Sequence, residues 1–502
     1  MNPSSSPAVG VTLGELLRVL ASLEAELEGD ASTRVMDVRH DSRQVRAGDA
    51  FVVRSGGRVS GSQFVEAAAQ HGAVALIAER GVELGTVTLP VVRVSDARLA
   101  LAYAAETVHG NPTHALKVVG ITGTNGKTTT AFLTAAAVAA AGGRPGRMGT
   151  LGFAFEAEAL GSSLTTPEAD DISRFAATVR DRGGSHLVME ASSHALALGR
   201  VEALHFSVAA FSNLTQDHLD FHESMDAYAA AKRRLFTELR PRHSVINVDD
   251  AFGRELATVS HRDLVSVGSS TDADVHPVVV TRDAQGLRGS FSVCGKRIEI
   301  HTRLIGDHNL QNVGLVLGIL HALGLDVQRG AEGLADAQTA PGRLERCDEP
   351  GDDVCVLVDY AHTPDALRRA LDAVRPMTQG ALWCVFGCGG DRDPKKRPLM
   401  GEAVGLAADH AIVTNDNPRS EAPEHIAAAV VEGLQGHRAS YEVTLDRRIA
   451  IADAVRRAQP GDVVLIAGKG HETTQTIGAQ VLPFDDRVEA RAALGRRRGG
   501  EG

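Results

Sequence analysis

The last third of the sequence alternates short, unbroken apolar runs with longer amphipathic runs. Apolar runs of this length predict strands, and apolar residues spaced three and four apart predict helices between them. Strands that are apolar on both faces are typical of a parallel sheet covered by helices on both sides. Functional groups of such sheets gather at the carboxyl ends of the strands. The predicted strands are VCVLVDYA (354–361), ALWCVFGC (381–388), HAIVTND (410–416) and DVVLIAG (462–468), and the predicted helices are PDALRRALDAV (364–374), KRPLMGEAVGLAA (396–408), EHIAAAVVEGL (424–434) and LDRRIAIADAVRRA (445–458).

The earlier part of the chain shows two further segments of the same kind, separated by a turn-rich connection at 109–115. The strands predicted there are DAFVV (49–53), AVALIAE (73–79), LPVVRV (89–94), LKVVGI (116–121), HLVME (186–190), VAAFSNL (208–214) and HSVINVD (243–249). A chain of this length is expected to form about three domains. We therefore predict an α/β fold with an N-terminal α/β domain at 1–108, a central P-loop-type parallel-sheet domain at 109–340 and a C-terminal Rossmann-like domain at 341–502.

Composition excludes some classes of function. The 502 residues carry a net charge of −11, which argues against a broad nucleic-acid-binding surface but not against a local anion site. No apolar run is long enough for a membrane span, and the N-terminus lacks a leader pattern. The five cysteines form no C-x-x-C pair, so we expect free thiols in a reducing cytoplasm. We expect the arginine-rich tail RRRGGEG (496–502) to be disordered.

GTNGKTT (123–129) lies directly after a predicted strand and directly before a predicted helix. Glycines allow backbone N–H groups to approach phosphates, and a helix N-terminus favours anions. Lys127 is placed to reach the β- and γ-phosphates, and the Thr128 hydroxyl to hold Mg²⁺. The pattern departs from G-x-x-x-x-G-K-[ST], because Ile121 stands at the position of its first glycine. The alternative is a glycine turn before a helix. The predicted ATP-binding residues of this loop are Gly123, Thr124, Asn125, Gly126, Lys127, Thr128 and Thr129.

Polar residues accumulate at two later strand ends and on one helix. Glu190 ends the strand HLVME, and His218 follows the strand VAAFSNL. A carboxylate and an imidazole at adjacent strand ends can hold a divalent ion beside a triphosphate. Taken alone, each residue has a simpler interpretation as a cap or a surface group, and Lys232, on an alanine-rich helix, as a surface lysine.

Arg419 poses a separate question. It follows Asp416-Asn417-Pro418, a turn signal at the carboxyl end of a predicted strand. An arginine held there can grip a carboxylate with two parallel hydrogen bonds. The alternative is a solvated turn residue.

Several motifs occur in an order that resembles the Mur ligases over essentially the whole chain. GTNGKTT is shared across that superfamily, whereas FGCGGDRD, DNPR and GKGHE resemble the branch that adds the third peptide residue of peptidoglycan. The motifs are GTNGKTT, TTPE (165–168), EASSHALALGR (190–200), NLTQDHLDFH (213–222), GDHNLQN (306–312), PGRLE (341–345), VDYAHTPDAL (358–367), FGCGGDRDPKKRPLMG (386–401), DNPR (416–419) and GKGHE (468–472).

The resemblance implies an ATP-dependent ligase of cell-wall synthesis. ATP phosphorylates the γ-carboxylate of D-Glu in UDP-N-acetylmuramoyl-L-Ala-D-Glu, and the amine of an incoming amino acid attacks the acyl phosphate. The catalytic residues it implies are Lys127, Glu190, His218 and Lys232, with Thr128, Glu190 and His218 as Mg²⁺ ligands. Lys232 matches a lysine that CO₂ converts to a carbamate (N6-carboxylysine). Nucleotide and amino acid are expected on different domains, so closure should accompany catalysis.

The resemblance also implies binding residues for the other ligands. It makes the N-terminal domain the uridine-binding domain, with a loop at GGRVSG (56–61) in which Ser60 replaces the usual aspartate. Leu198 stands where some members have glutamine. Asn309 is expected either to face adenine or to cap a helix, and His362 and Asp365 either to approach the γ-phosphate or to begin a helix. The residues implied for the UDP-sugar peptide are His40, Ser42, Thr165, Thr166, Ser192 and Arg200.

For the incoming amino acid, DNPR implies meso-diaminopimelate, because lysine-adding members usually lack the arginine. L-Lysine and L-ornithine remain open as acceptors. Two further alternatives are a folylpolyglutamate-type ligase and a nucleotide-binding regulator without catalysis. The expected partners are small-molecule substrates only, for a protein that is a monomer. The residues implied for the amino acid are Arg392, Asp416, Asn417, Pro418, Arg419, Gly468 and Glu472.

Overall fold

The structure, a computed structural model, describes residues 10–54, 60–160, 164–260, 263–283, 286–335, 337, 340–349 and 351–499. The chain divides into two compact units. The first comprises residues 1–277, 292–298 and 314–333, and the second comprises residues 278–291, 299–313 and 334–502.

The N-terminal part of the first unit is built on a five-stranded sheet of order β2-β7-β6-β5-β4. Strands β4 to β7 run parallel, and β2 pairs antiparallel to β7 at the edge. Helices pack on the apolar faces of these strands. The elements are β1 (Val11–Thr12), α1 (Leu13–Val19), β2 (Glu26–Glu28), β3 (Arg34–Val35), β4 (Asp37–Arg39), β5 (Asp49–Val53), α2 (Val65–Gln70), β6 (Ala75–Glu79), β7 (Val91–Val94) and α3 (Ala97–Val108).

An eleven-stranded sheet follows, of order β11-β10-β9-β12-β8-β13-β14-β15-β16-β17-β18. Its centre is parallel, with β8 between β12 and β13. The elements are α4 (Pro112–Ala115), β8 (Lys117–Thr122), α5 (Lys127–Ala140), β9 (Pro145–Gly149), β10 (Gly152–Phe155), β11 (Glu158–Leu160), α6 (Ala169–Asp181), β12 (His186–Glu190), α7 (Ser193–Ala197), β13 (Phe206–Phe211), α8 (Leu219–His222), α9 (Met225–Thr237), β14 (His243–Asn247), α10 (Ala251–Val259), β15 (Asp263–Val267), β16 (Val275–Asp283), β17 (Gly286–Val293), β18 (Lys296–Thr302), α11 (Asp307–Ala322) and α12 (Val327–Glu332).

Ion pairs join the first sheet to helix α6 within the first unit. Arg174 of α6 donates from Nε to Asp37 at 2.9 Å, and His109 Nε2 lies 3.0 Å from the same carboxylate. Burial would raise the pKa of Asp37, but the bonds from His109 and Arg174 outweigh it and hold the pKa well below its usual range. His40 Nδ1 lies 2.7 Å from Asp170 of the same helix. Charged contacts therefore set the position of the segment that contains His40.

The second unit contains a six-stranded sheet of order β19-β20-β24-β21-β22-β23, parallel from β20 to β23. Apolar clusters cover both faces, with α13 to α15 on one side and α16 and α17 on the other. The elements are β19 (Glu345–Arg346), β20 (Cys355–Asp359), α13 (Pro364–Val374), β21 (Leu382–Phe386), α14 (Lys396–Ala407), β22 (His410–Val413), α15 (Pro423–Leu434), β23 (Ser440–Val443), α16 (Arg447–Arg457), β24 (Val463–Ala467), β25 (Thr474–Ile477), β26 (Gln480–Pro483) and α17 (Asp486–Arg498).

The predicted α/β fold is confirmed, and the predicted strands and helices all occur; the exact domain boundaries stay a prediction. Three local expectations were wrong. Residues 112–115 form a helical turn, since Pro112 is well suited to a first helical position. Strand β13 ends at Phe211, because Asn213 turns to bind the phosphate loop. Arg496 to Arg498 belong to α17, where Arg497 pairs with Asp353 at 2.7 Å.

Two further observations concern the sequence-based expectations. Within the described ranges, no helix combines the length and apolarity that a membrane crossing requires. All five cysteines are free, and Cys384 and Cys388 are buried in the second unit. Cys388 Sγ lies 3.5 Å from Met400 Sδ.

Candidate active site

The first four residues of the predicted phosphate loop, 123–126, lie between β8 and α5, and the last three begin α5. Gly123 and Gly126 have φ angles of +147° and +86°, which favour glycine. A Cβ atom on Gly123 would lie 1.9 Å from Ser212 Oγ. Asn213, after β13, holds the loop from outside: its carbonyl accepts from Thr124 N at 2.8 Å, and its Oδ1 from Asn125 N at 3.0 Å. Backbone geometry and a neighbouring loop thus fix the conformation, while Thr128 and Thr129 lie in the first turn of α5.

Two lysines converge on one carbonyl oxygen of this loop. Lys127 Nζ donates to Gly123 O at 2.9 Å and to Thr124 O at 2.8 Å, and Lys232 Nζ donates to Gly123 O at 2.8 Å. Burial, reinforced by the charge of Lys127, lowers the pKa of Lys232 well below its usual value. The loop therefore places two amine groups, those of Lys127 and Lys232, at the N-terminus of α5.

Lys232 is not the surface residue that its sequence context suggests. It lies on α9 with 1% of its surface exposed. Its Nζ lies 4.4 Å from the centre of the Tyr228 ring, and the Tyr228 hydroxyl lies 3.1 Å from Thr124 Oγ1. Helix α9 thus places an amine directly beneath the phosphate loop.

Glu190, at the end of β12, is buried among hydroxyl groups. Thr128 Oγ1 donates to Glu190 Oε2 at 2.9 Å, and the backbone N–H of Thr150 donates to Glu190 Oε1 at 2.8 Å. Gly149 makes room, since a Cβ there would lie 2.1 Å from Glu190 Oε1. Sequence reasoning missed Gly149 and Thr150; the Gly-Thr pair that ends β9 beside β12 was the available signal.

Hydrogen bonds continue from this carboxylate to the residues predicted to hold the UDP-sugar peptide. Thr150 Oγ1 lies 3.2 Å from Thr165 Oγ1, and Thr166 Oγ1 donates to the Glu190 carbonyl at 2.8 Å. The Thr166 hydroxyl also accepts from Ser192 N at 3.0 Å. The structure therefore brings the predicted metal ligand and three of the predicted sugar–peptide residues into one network.

Arg200 extends the same network through its guanidinium group. Its Nη1 donates to the Thr166 carbonyl at 3.0 Å, and its Nη2 lies 2.9 Å from Glu168. Glu168 also pairs with Arg54 at 2.7 Å. Leu198, which replaces glutamine in the resemblance, is the C-cap of α7.

His40 and Ser42 lie after β4, in the first unit. Asp41 caps a short turn by accepting from Arg43 N, and the Ser42 carbonyl lies 2.8 Å from His71 Nδ1. His40 is bound to Asp170, which with Asp171 forms a group of possible ligand atoms. The positions 56–59 of the predicted uridine loop lie outside the described residues.

His218 is the N-cap residue of α8. Its backbone is left-handed, with φ of +54°, and its side chain is 44% exposed. The ring lies edge-on to His194, at 4.8 Å between ring centres, and 3.5 Å from Asp217 Oδ2. Burial lowers the pKa of His218, and the nearby Lys127 and Lys232 add to this against Asp217. Its role as a metal ligand stays a prediction.

In the second unit, Asn309 and Thr363 have local partners. Asn309 Nδ2 donates to the Ile305 carbonyl at 2.7 Å, and Asn309 Oδ1 accepts from Asn312 at 2.9 Å. These bonds favour packing of the N-terminal turn of α11; an adenine contact stays a prediction. Thr363 caps α13, and Asp365 pairs with Arg369 at 3.1 Å.

The loops after β21, β22 and β24 meet at the carboxyl ends of these strands in the second unit's sheet. Gly390 N donates to the Asn417 carbonyl at 2.9 Å, and a Cβ on Gly390 would lie 1.9 Å from the Pro418 carbonyl oxygen. Asn417 Nδ2 donates to Glu472 Oε2 at 2.9 Å. A Cβ on Gly468 would lie 2.9 Å from Asp416 Oδ2. The structure thus brings together the three motifs predicted to bind the amino acid.

Arg419 lies in this cluster, half-buried, with a left-handed backbone of φ +52°. Its Nη1 donates to the Gly390 carbonyl at 2.6 Å, and its backbone pairs with Thr476 and Gly478 of the β25–β26 hairpin. Within the part of the chain that the structure describes, no carboxylate lies within 4.0 Å of its guanidinium. Arg392 is exposed in the loop after β21. Arg419 is thus fixed in place with hydrogen-bond donors that a carboxylate can use.

Buried side chains that sequence reasoning missed support these loops. Arg447 donates to the Asn415 and Ala467 carbonyls at 3.3 and 2.9 Å, and pairs with Asp486 at 2.6 Å; the Arg447 and Asp486 side chains are fully buried. Gln475 Nε2 donates to the Asp416 carbonyl at 2.9 Å. Arg447 lies on the same helix stripe as buried Ala450, Ile451 and Ala454, which was a usable sequence signal.

Comparison with known proteins defines the class. The sequence matches three domain families, described as Mur ligase family, catalytic domain (residues 34–109), Mur ligase middle domain (121–320) and Mur ligase, glutamate ligase domain (342–470). The chain belongs to the Mur ligase family.

Individual relatives show which members of the family this chain is similar to. The UDP-N-acetylmuramoyl-L-alanyl-D-glutamate--2,6-diaminopimelate ligase of Streptomyces coelicolor is 42% identical over 482 residues, covering 94% of each chain. A solved structure of a ligase of that name matches with a TM-score of 0.70 at 32% identity, covering 98% of this chain and 100% of the other. Folylpolyglutamate synthase of Mycobacterium tuberculosis, complexed with ADP and AMPPCP, shares only the fold, with a TM-score of 0.60 at 19% identity over 80% of this chain and 95% of the other.

Proposed function

We propose that this protein is an ATP-dependent ligase of peptidoglycan synthesis. It joins meso-diaminopimelate to the D-Glu γ-carboxylate of UDP-N-acetylmuramoyl-L-Ala-D-Glu. ATP first phosphorylates that carboxylate; the amine of diaminopimelate then attacks the acyl phosphate, and phosphate leaves as the amide forms. The name of the Streptomyces coelicolor relative, which this chain matches over nearly its whole length, supports the same reaction.

The observation that carries the choice of amino acid is the position of Arg419. A half-buried guanidinium with a carbonyl partner faces loops that also present Glu472 and Asn417. meso-Diaminopimelate has a carboxylate and an ammonium at each end, so one end can reach the amine-attack position while the other pairs with Arg419. Lysine lacks the second carboxylate and would leave the guanidinium without its anionic partner, which is costly in a partly buried site.

On the nucleotide side, Lys127 and the N-terminus of α5 bind the phosphates. The transferring phosphoryl group gathers negative charge on its oxygens, and a lysine with fixed N–H donors stabilises it. In this structure Lys127 donates to two loop carbonyls, and phosphate oxygens would replace them. Thr165, Thr166, Ser192 and Arg200 orient the peptide whose carboxylate accepts the phosphoryl group.

The residues present fit a hard cation such as Mg²⁺. Thr128 Oγ1 and Glu190 Oε2 are 2.9 Å apart, and both are oxygen ligands of the kind that Mg²⁺ prefers. His218 is a less usual ligand for this ion. When bound, Mg²⁺ offsets the charge of the phosphates. Glu190 is held for this role by Thr128 and Thr150, which keep the carboxylate at the end of β12.

Lys232 is proposed as the site of a carbamate. A neutral amine adds to CO₂ and releases one proton, giving an anionic N-carboxylate. Burial and the adjacent Lys127 favour the neutral amine that this addition needs. The product would place an anion beside the Lys127 ammonium and would offer oxygen atoms to a metal ion.

Phosphate release tests the proposal and separates it from the alternatives. Purified protein receives ATP, Mg²⁺ and UDP-N-acetylmuramoyl-L-Ala-D-Glu, with meso-diaminopimelate, L-lysine or L-ornithine in parallel. Release with meso-diaminopimelate alone is expected. Release with lysine or ornithine would keep the ligase and change the acceptor. Release only with a folate and glutamate would indicate the folylpolyglutamate-type ligase, and nucleotide binding without any release would indicate a regulator.

A further inference from the structure

A lysine without a predicted role lies between the loops assigned to the amino acid. Lys469 follows Gly468 directly after β24 and is completely buried. Its Nζ lies 3.0 Å from Glu472 Oε2, 3.2 Å from Asn417 Oδ1 and 3.7 Å from Asp416 Oδ1. Its three nearest partners are therefore all residues of the proposed amino-acid site.

This arrangement is unusual for a lysine. Lysine is almost never fully buried unless its charge is paired, because removing an ammonium from water is costly. An ammonium has three hydrogen-bond donors and no acceptor. Here one donor meets Glu472, a second meets Asn417, and the third side of the group faces Asp416. The ammonium group of Lys469 therefore faces Glu472, Asn417 and Asp416 on its three donor sides.

The charges around Lys469 explain why a cation is needed there. The Glu472 carboxylate lies close enough to Asp416 to hinder ionisation of Asp416. Burial raises the pKa of Asp416; for Glu472, burial acts in the same direction but Lys469 and Asn417 outweigh it and lower the pKa. Among the residues that the structure describes, the other charged or titratable groups facing the cluster include the Arg447–Asp486 pair, His471, Tyr360, Arg343, Arg392 and Cys388.

We infer that Lys469 is a positioning residue for the amino-acid substrate: its buried ammonium fixes the Glu472 carboxylate and the Asn417 amide and balances their charge. Glu472 then presents an anionic oxygen to the ammonium group of the substrate. The inference rests on the proposed function, because it assumes that an amino acid binds at these loops. It adds a residue that no motif-based assignment above includes.

A purely structural role for Lys469 would give different results. Loss of packing would weaken the whole unit and affect the kinetic constants of all substrates alike. A charge-setting role acts on one substrate and on the pH dependence. Without the ammonium, burial raises the pKa of Glu472, so the carboxylate becomes protonated at higher pH and attracts the substrate ammonium less. The acid limb of kcat/KM for the amino acid should then move to higher pH.

The experiment uses the full-length protein and measures phosphate release with ATP, UDP-N-acetylmuramoyl-L-Ala-D-Glu and meso-diaminopimelate. Lys469→Met removes the charge and keeps the length, and Lys469→Arg keeps the charge. Lys296→Met is the matched control, because Lys296 is exposed on β18 of the chain. A double-mutant cycle with Glu472→Gln tests whether the pH effect of the Lys469 substitution depends on the Glu472 carboxylate.

For Lys469→Met we expect KM for meso-diaminopimelate to rise by about tenfold or more, with KM for ATP within about twofold. The midpoint of the acid limb of kcat/KM should move to higher pH by about one unit or more. In the Glu472→Gln background this midpoint should not move. Lys469→Arg should keep the wild-type acid limb.

Equal changes for all substrates, or an unmoved acid limb in a folded Lys469→Met protein, would overturn the inference. If Lys469→Met does not fold, an acid limb shifted in Lys469→Arg overturns it, and a wild-type limb with a raised KM supports it. A wild-type protein without release would instead overturn the proposed function.

Discussion

The phosphate loop and the loops proposed to bind the amino acid are held in place by opposite means. The phosphate loop is held mainly through its backbone. Its glycines have positive φ angles, it packs against the end of a neighbouring strand, and its Gly123 carbonyl accepts hydrogen bonds from two lysines. The amino-acid loops rely on side chains: Lys469 meets Glu472 and Asn417, and Arg447 meets Asp486. One site gathers positive charge, whereas the other pairs its charges before any substrate arrives.

The ligands proposed for the two sites account for this difference. A triphosphate with a metal ion brings several negative charges, so a loop with excess positive charge gains from each N–H and each lysine. A zwitterionic amino acid carries both a positive and a negative charge. The site must therefore offer an anionic and a cationic group at fixed positions, and these two groups must not pair with each other. Buried ion pairs cost desolvation, and their benefit here is geometric: Lys469 fixes the Glu472 carboxylate, and Arg447 holds the Asn415 and Ala467 carbonyls.

The largest expected effect is at the phosphate site, from Lys232→Ala. Loss of the amine removes both the proposed carbamate and a donor to Gly123, so phosphate release should fall by at least about 1000-fold. Addition of small carboxylates such as acetate or formate should restore part of the rate. Lys296→Met, an exposed lysine, serves as control. Full activity of Lys232→Ala would remove the carbamate proposal.

At the amino-acid site, Arg447→Met should mainly reduce stability. It leaves Asp486 buried without its partner and the Asn415 and Ala467 carbonyls without a donor. We expect a loss of about 3–5 kcal/mol in the free energy of unfolding, measured by chemical denaturation. The double variant Arg447→Met/Asp486→Leu should recover much of this loss. An unchanged stability of the single variant would show that the pair does not hold these loops.

Gly123→Ala separates backbone geometry from charge at the phosphate loop. The new Cβ would meet Ser212 Oγ at 1.9 Å and would need φ of +147°. The loop must shift, so the dissociation constant for ATP should rise by about tenfold or more in calorimetry, with the protein still folded. Gly142→Ala is the matched control: its φ is also positive, at +91°, but no atom lies within 4 Å of its Cβ. Equal affinities of the two variants would contradict a steric role for Gly123.

Arg419→Lys gives the smallest and most selective change. Lysine keeps the charge but loses the planar pair of donors, so KM for meso-diaminopimelate should rise by about tenfold while KM for ATP stays within about twofold. Phosphate release with varied substrate concentrations measures both constants. A parallel rise in both would indicate that Arg419 only supports the local fold.

Much of the fold was visible in the sequence because its strands are buried on both faces and its helices are amphipathic. β20, β21, β22 and β24 and the helices between them follow directly from those patterns. The strands β15 to β18 and the β25–β26 hairpin were not predicted, since they are short or partly exposed and carry no unbroken apolar run. The hairpin matters, because it holds the backbone of Arg419.

The site was predictable where a motif is local and not where partners are distant in sequence. GTNGKTT contains its own glycines and lysine, so its place between a strand and a helix was predictable, and its ATP-binding role stays a prediction. Gly149 and Thr150 bind Glu190 from a separate strand, and Arg447 and Gln475 reach the DNPR loop from separate elements. The burial of Lys232 and Lys469 is a property of packing, and the sequence motifs alone did not indicate it.

The most direct test is a competition experiment with wild-type protein. ATP, Mg²⁺ and UDP-N-acetylmuramoyl-L-Ala-D-Glu are incubated with an equimolar mixture of meso-diaminopimelate, L-lysine and L-ornithine, and the UDP-linked products are identified by mass spectrometry. A product containing meso-diaminopimelate, with the lysine and ornithine products at trace level, is the predicted result. A predominant lysine or ornithine product would contradict the assignment of Arg419, and no product from any acceptor would contradict the ligase itself.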